Sequence, residues 1–229
     1  RPRILSSCAI ERVTDMSAFC QALRLQFKRY QYRRRAARAL RDCWQLSPPC
    51  WQSPARDAAY LAIDLEMTSL DPSTGEVVSI GWVPITHCEI DLSAARHHLL
   101  RAESLVGESA VIHQLRDCDR VGGEPPAEVL QALLKAASGR VLLFHCAELD
   151  IAFLNALCQA HLAAPLLLPY VDTLQIEHGR RERAHQPVRN GELRLADCRE
   201  HYHLPAYPAH NALSDALATA ELFLAIKSR

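Results

Sequence analysis

The sequence predicts an α/β fold with a sheet of mixed strand direction, preceded by a basic helical arm. Two observations carry this prediction. Short apolar runs first occur as a pair joined by turn residues, then alternate with segments of helical period. The first 55 residues also differ sharply in charge from the rest: residues 1–55 hold 11 Arg or Lys against 3 acids, and residues 56–229 hold 15 against 23. The formal net charge of zero is therefore a cancellation of +8 and −8. The domain division expected is 1–55, arm and Pro-rich linker, and 56–229, the folded body.

A 229-residue chain that is 49% hydrophobic can bury a sizeable core, which excludes disorder throughout. Runs such as Val141–Phe144 and Leu166–Leu168 fall far short of the ~20 apolar residues that span a bilayer. The chain opens on Arg1, and nothing near it has the order of a secretory signal, so a soluble, cytoplasmic protein with no membrane partner is expected. The nine cysteines are odd in number, scattered and without C-x-x-C, which argues against a disulfide framework or zinc cage and for reduced, mostly buried thiols.

In chain order, Arg24 to Arg41 contains eight basic residues and no acid, among good helix formers, so one basic helix is predicted from about Asp15 to Trp44. The three prolines of Ser47–Pro54 end it and make a linker. Tyr60–Glu66 and Val77–Ile85 read as strands joined by the Ser69–Gly75 turn, with a third strand over His87–Leu92 or towards Leu100. Then follow a helix over Pro126–Ser138, a strand over Arg140–His145, a helix over Glu148–His161, and a strand over Leu166–Val171. Helices are predicted over Asp172–Arg183, Glu192–His201 and Asn211–Ile226, with a polar loop at Ala184–Asn190.

The chemistry lies in a few acids. Asp64 and Glu66 stand two apart on a predicted strand, so both side chains face the same way. Paired carboxylates in an apolar setting repel and resist desolvation unless a cation joins them. Asp150 follows a buried run and opens a helix, and Asp215 opens the last helix five residues after His210. Taken singly, each has an ordinary reading as a solvated strand end, a first-turn acid complementing a helix dipole, or a cap. The pairs His97-His98 and His201-x-His203 lack such partners and carry no assignment.

Together, Asp64-x-Glu66, Asp150 and His210-x-x-x-x-Asp215 resemble the DEDDh branch of 3′ to 5′ exonucleases, the group that includes the proofreading epsilon subunit of bacterial DNA polymerase III and oligoribonuclease. Val111-Ile-His113 and Asp172-Thr-Leu174 are similar to further segments of that family, and the resemblance covers residues 58–227. It implies an RNase H-like fold, a central mixed five-stranded sheet flanked by helices. There are departures. Asp64-Leu-Glu-Met-Thr68 has the oligoribonuclease form instead of D-x-E-T-T, whereas His145-Cys-Ala-Glu-Leu-Asp150 stands where that family and its relatives read H-N-A-x-F-D.

The resemblance implies two Mg²⁺ or Mn²⁺ ions held by Asp64, Glu66, Asp150 and Asp215, with His210 as general base. It also implies substrate contacts at Leu65, Met67, Thr68, His113 and His145, with Met67 equally suited to core packing. The expected substrate is single-stranded or frayed DNA, with short RNA, as for a nanoRNase, as the alternative. A non-catalytic module that binds nucleic acid or a polymerase is the alternative of another class. A DNA polymerase is a candidate partner, though the short stretch after the last helix points to independent action. The basic arm has two readings: it packs on the acidic body through Leu25, Phe27 and Leu40, or it lies along nucleic-acid phosphates.

Overall fold

Strand β1 (Tyr60–Met67) is almost wholly apolar up to Asp64, as a strand covered on both faces must be. It pairs antiparallel with β2 (Val77–Thr86) and parallel with β5 (Val141–Phe144), which makes it the centre of the sheet. The computed structural model describes residues 16–48, 58–102, 122–189, 191–208 and 210–228, with side chains in the first helix from residue 22 onward.

The sheet has six strands where five were expected, in the order β3-β2-β1-β5-β6, with β4 also on β2. The extra strand arises because the segment after β2 divides into β3 (Glu89–Ile90) and β4 (Arg96–Leu99). Asp91 causes the division: its carboxylate accepts from the amides of Ser93 and Ala94 and caps a short 3₁₀ turn, diverting the backbone from the ladder. β6 is only Tyr170–Asp172, shorter than the predicted 166–171. Leu166 and Leu168 are buried. However, Leu167 has φ +49°, and Leu166 gives its amide to Asn155 and its carbonyl to Trp44, so this segment cannot join the ladder.

The arm is two helices, α1 (Met16–Tyr32) and α2 (Arg38–Leu46), not one. No proline or glycine divides them. The amides of Arg35 and Ala36 both turn back to the carbonyl of Tyr32, and Ala37, extended at ψ 151°, donates to Leu162 of the body. Tertiary contact therefore overrides helix propensity here. Ala36, Leu40, Cys43 and Trp44 enter the main core beside Leu130, Leu133 and Leu134. Leu40 is fully buried as expected, whereas Phe27 is 63% exposed and takes no part in the docking. The prolines at 49 and 54 lie outside the described residues.

The remaining helices are α3 (Pro126–Ala137), α4 (Ala147–Leu162), α5 (Thr173–Arg183), α6 (Leu195–His201) and α7 (Ala212–Ser228). β1 has a period of two, and its alternate residues serve two layers. Leu61, Ile63 and Leu65 join α2, α3 and α4 in the larger core, while Tyr60 and Ala62 pack with Ala220 and Phe223 of α7. The five cysteines whose side chains are described are all free; Cys43, Cys158 and Cys198 are buried. Among the described residues no helix is long and apolar enough to cross a membrane.

Candidate active site

Asp64 and Glu66 continue the Tyr60–Ala62 side of β1, so they emerge on the face that α7 covers. Gly81 of β2 pairs directly with Asp64. A β-carbon at Gly81 would lie 2.3 Å from the backbone of Ala212 and Leu213, so only glycine lets the start of α7 settle against the sheet there. That seating delivers Asp215, in the first turn of α7, to the two strand acids. Carboxylate oxygens of Asp64, Glu66 and Asp215 all lie within 4.8 Å of one another.

Asp150 approaches from the first turn of α4 and is buried at 6% exposure. Its carboxylate accepts the backbone N–H of Leu65, the residue between the two strand acids. Burial pushes the Asp150 carboxyl up to about 7, more than that hydrogen bond can offset. Asp64 is raised well above the usual carboxylate range, first by burial and then by the neighbouring charges of Asp150, Asp215 and Glu66. Asp215 is raised by burial and held back by the His210 and Asn211 amides. Four acids so placed are costly unless cations join them, and hard oxygen donors suit Mg²⁺ or Mn²⁺.

His210 is exposed at the mouth of the same cleft, with φ +68°. Its backbone N–H donates to Asp215 Oδ2 at 3.1 Å, which ties the loop to the acid. Asn211 accepts the Ser214 amide at 3.1 Å and caps α7. The cleft, about 930 Å³, is lined by Asp64, His145, His210 and Asp215 together with Arg194, His203 and Tyr207.

The expected substrate-contacting residues fare unevenly. The Leu65 side chain lies in the core at 4% exposure, and its amide is occupied by Asp150, so the structure does not bring it to the cleft. Met67 packs against the main core. Thr68 is exposed, but its hydroxyl accepts the Glu76 amide at 2.9 Å and closes the β1–β2 turn. His145 lines the cleft with both ring nitrogens engaged, Nε2 donating to the Leu193 carbonyl and Nδ1 meeting the Thr173 hydroxyl, each at 2.8 Å. Burial favours its neutral form, and the Thr173 hydroxyl that Nδ1 meets also donates to the Phe144 carbonyl at 3.1 Å. His113 lies outside the described residues.

Sequence reasoning missed three supports. Asp172 accepts from the amides of Cys146, Ala147 and Leu174, so one carboxylate caps both α4 and α5. The D-T-L segment is thus a structural clamp under Asp150, and the capping preference of Asp could have revealed it. Arg199, 3% exposed, bonds the carbonyls of Ala218 and Pro205 and the Glu221 carboxylate, joining α7 to the loop that leads to His210. Tyr207 stacks under the Arg199 guanidinium, 4.6 Å from its ring centroid, and donates to Glu221. No local spacing signals either residue.

Residues 61–223 match the exonuclease family. The chain belongs to that family. Its Asp64, Glu66, Asp150, His210 and Asp215 motifs place it in the DEDDh branch of 3′ to 5′ exonucleases, with the RNase H-like fold. It is similar to the PolC-type DNA polymerase III of Thermotoga petrophila, 25% identical over 181 residues, which are 76% of this chain and 12% of that protein. The PolC-type DNA polymerase III of Thermotoga maritima is 27% identical over 170 residues, 73% of this chain and 12% of that protein. The chain therefore spans about an eighth of the length of these relatives. In fold it resembles E. coli exonuclease I, solved in complex with a dA16 oligonucleotide, at a TM-score of 0.59 and 14% identity, over 76% of this exonuclease chain and 41% of that one.

Proposed function

We propose that this exonuclease removes nucleoside monophosphates from the 3′ end of single-stranded or frayed DNA by two-metal hydrolysis. The observation that carries the reading is the convergence of Asp64, Glu66 and Asp215 oxygens within 4.8 Å, with Asp150 buried beside them. Asp64, Glu66 and Asp215 would hold one Mg²⁺ or Mn²⁺ and Asp150, with Asp64, a second. Bound there, the ions lower the pKa of the attacking water and stabilise the leaving 3′ oxygen.

The chain's own residues supply the rest. His210, exposed over the acids, takes a proton from the attacking water. Attack breaks the bond between phosphorus and the 3′ oxygen, which takes a proton from solvent water as it leaves, while His210 returns its proton to solvent. The bond from the His210 amide to Asp215 keeps base and acid in register. Met67, Thr68 and the ring of His145 border the acids and are the candidate contacts for the terminal nucleotide. Cytoplasmic action, free or beside a DNA polymerase, is part of the same reading.

The test is to incubate the protein with Mg²⁺ or Mn²⁺ and 3′-labelled single-stranded DNA, a frayed duplex, and di- to pentaribonucleotides. Release of labelled monophosphate from the DNAs is expected. Asp64→Asn should abolish it in a protein that still melts cooperatively, and His210→Ala should lower kcat by about 10² or more. Full activity in Asp64→Asn overturns the reading. Faster turnover of the short ribonucleotides would replace DNA by RNA, a choice for which the Asp64-Leu-Glu-Met-Thr68 form gives specific reason. Binding without cleavage on every substrate would leave a non-catalytic module.

A further inference from the structure

The arm's fixed posture gives it a chemistry of its own. On α1, Leu25, Arg29 and Tyr32 turn towards the body, as residues at helical spacing should. Arg29 is 7% exposed and bonds the carbonyls of Leu167 and Trp44 and the Ser47 hydroxyl. Beside them Arg24 and Lys28, and in the turn after the helix Arg33, Arg34 and Arg35, are all exposed. Between these cations stand Phe27 at 63% exposure and Tyr30 at 61%. Arg33 lies over the Tyr30 ring at 4.0 Å from its centroid, and Arg35 over Tyr32 at 4.2 Å.

If the positive charge served to dock the arm on the acidic body, the cations would face the body and meet carboxylates. Instead docking runs through the apolar Ala36, Leu40, Cys43 and Trp44 and through bonds from Arg29, Ala37 and Trp44 to backbone carbonyls of the body. Among the described residues, the ion pair recorded on the arm is Arg38 with Asp42, at 3.6 Å and exposed. What stands exposed is a group of cations interleaved with aromatic rings, the composition that binds phosphates by charge and bases by stacking.

We propose that the outer face of α1 and the α1–α2 turn form a second binding surface for single-stranded nucleic acid, remote from the carboxylates. It rests on the reading of the cleft as a 3′-end nuclease site. The arm joins the body at Leu162, at the far end of α4 from Asp150. Twelve residues of helix separate those two positions, roughly 18 Å at ~1.5 Å per residue. A strand must run at least that distance to touch both sites. The surface therefore retains long substrates and is out of reach of a dinucleotide.

The experiment compares the full chain with a variant carrying Arg24→Ala, Lys28→Ala, Arg33→Ala and Arg34→Ala, and with Tyr30→Ala alone, using fluorescent dT16 over a range of salt. Binding is read in an Asp64→Asn background so that the probe survives. The fourfold variant should bind dT16 at least about tenfold more weakly. Its plot of log affinity against log salt should be shallower by up to about 3, since each single-strand phosphate contact contributes ~0.7. Tyr30→Ala should weaken binding with an unchanged salt slope. With Asp64 restored, cleavage of a dinucleotide should be unaffected by the arm substitutions. Unchanged dT16 affinity and slope overturn the proposal, as does loss of binding to phosphatidylserine vesicles without loss of dT16 binding. If wild type binds dT16 through the arm but cleaves nothing, the nuclease reading fails and the arm proposal stands.

Discussion

Asp150 shows what burying one acid beside three others costs. Its carboxyl titrates at about 7 when folded, against 3.8 for the ordinary group. Between those values the folded protein keeps a proton that the unfolded chain has released. The group's contribution to stability is therefore fully present below about pH 4 and is lost as pH rises towards 7. In EDTA, Asp150→Asn should melt close to wild type near pH 4 and above it at pH 8. It should also gain less in Tm from added Mg²⁺. A melting difference that does not vary with pH would show that Asp150 is not the strained acid. Asp64, Glu66, Asp150, His210 and Asp215 were all legible in the sequence, because each lies in a short motif whose spacing survives without knowledge of the fold. Leu65, expected as a substrate contact, points away from the cleft. Strand parity sends its side chain into the core, and a long-range bond from Asp150 takes its amide.

At the level of elements, the meeting of β2 and α7 decides whether the acids converge. Gly81→Ala would force a methyl against the Ala212–Leu213 backbone and push the first turn of α7 outward. We expect a loss of roughly 1–3 kcal/mol, the usual cost of overpacking. We also expect a kcat loss larger than that instability explains, and a weaker metal dependence, because Asp215 moves with the turn. Thermal melts and a Mg²⁺ titration of activity would check this; unchanged metal dependence would mean that α7 seats independently of residue 81. The pattern of apolar runs foretold the order of helices and strands, but it could not show that Asp91 would divide one strand into two. The break between α1 and α2 was likewise hidden: it depends on Ala37 finding the Leu162 carbonyl, 125 residues away in sequence.

Over the whole molecule, the larger core crosses the boundary that composition suggested near residue 55. Trp44 is 6% exposed, packs in the cluster that backs β1, and donates from Nε1 to the Leu166 carbonyl at 2.6 Å. Trp44→Ala should cost about 3–5 kcal/mol, as for other large core truncations, and should lower the melting temperature of the body and the arm in one transition. Two separate transitions would indicate that the arm folds alone. The charge asymmetry takes on a spatial sense from this arrangement. The acids gather between β1 and α7, while the arm packs on the opposite layer of the sheet, so anionic cleft and cationic face are held apart by a rigid core.

The twin cap at Asp172 has a mechanical consequence. One carboxylate holds the first amides of α4 and of α5, so these two helix starts share a single anchor. They behave as one cooperative unit: a fluctuation that frees one start removes the cap of the other and loosens the turn carrying Asp150 in the same event. Precision at the clustered acids thus depends on a residue that lies outside the cluster.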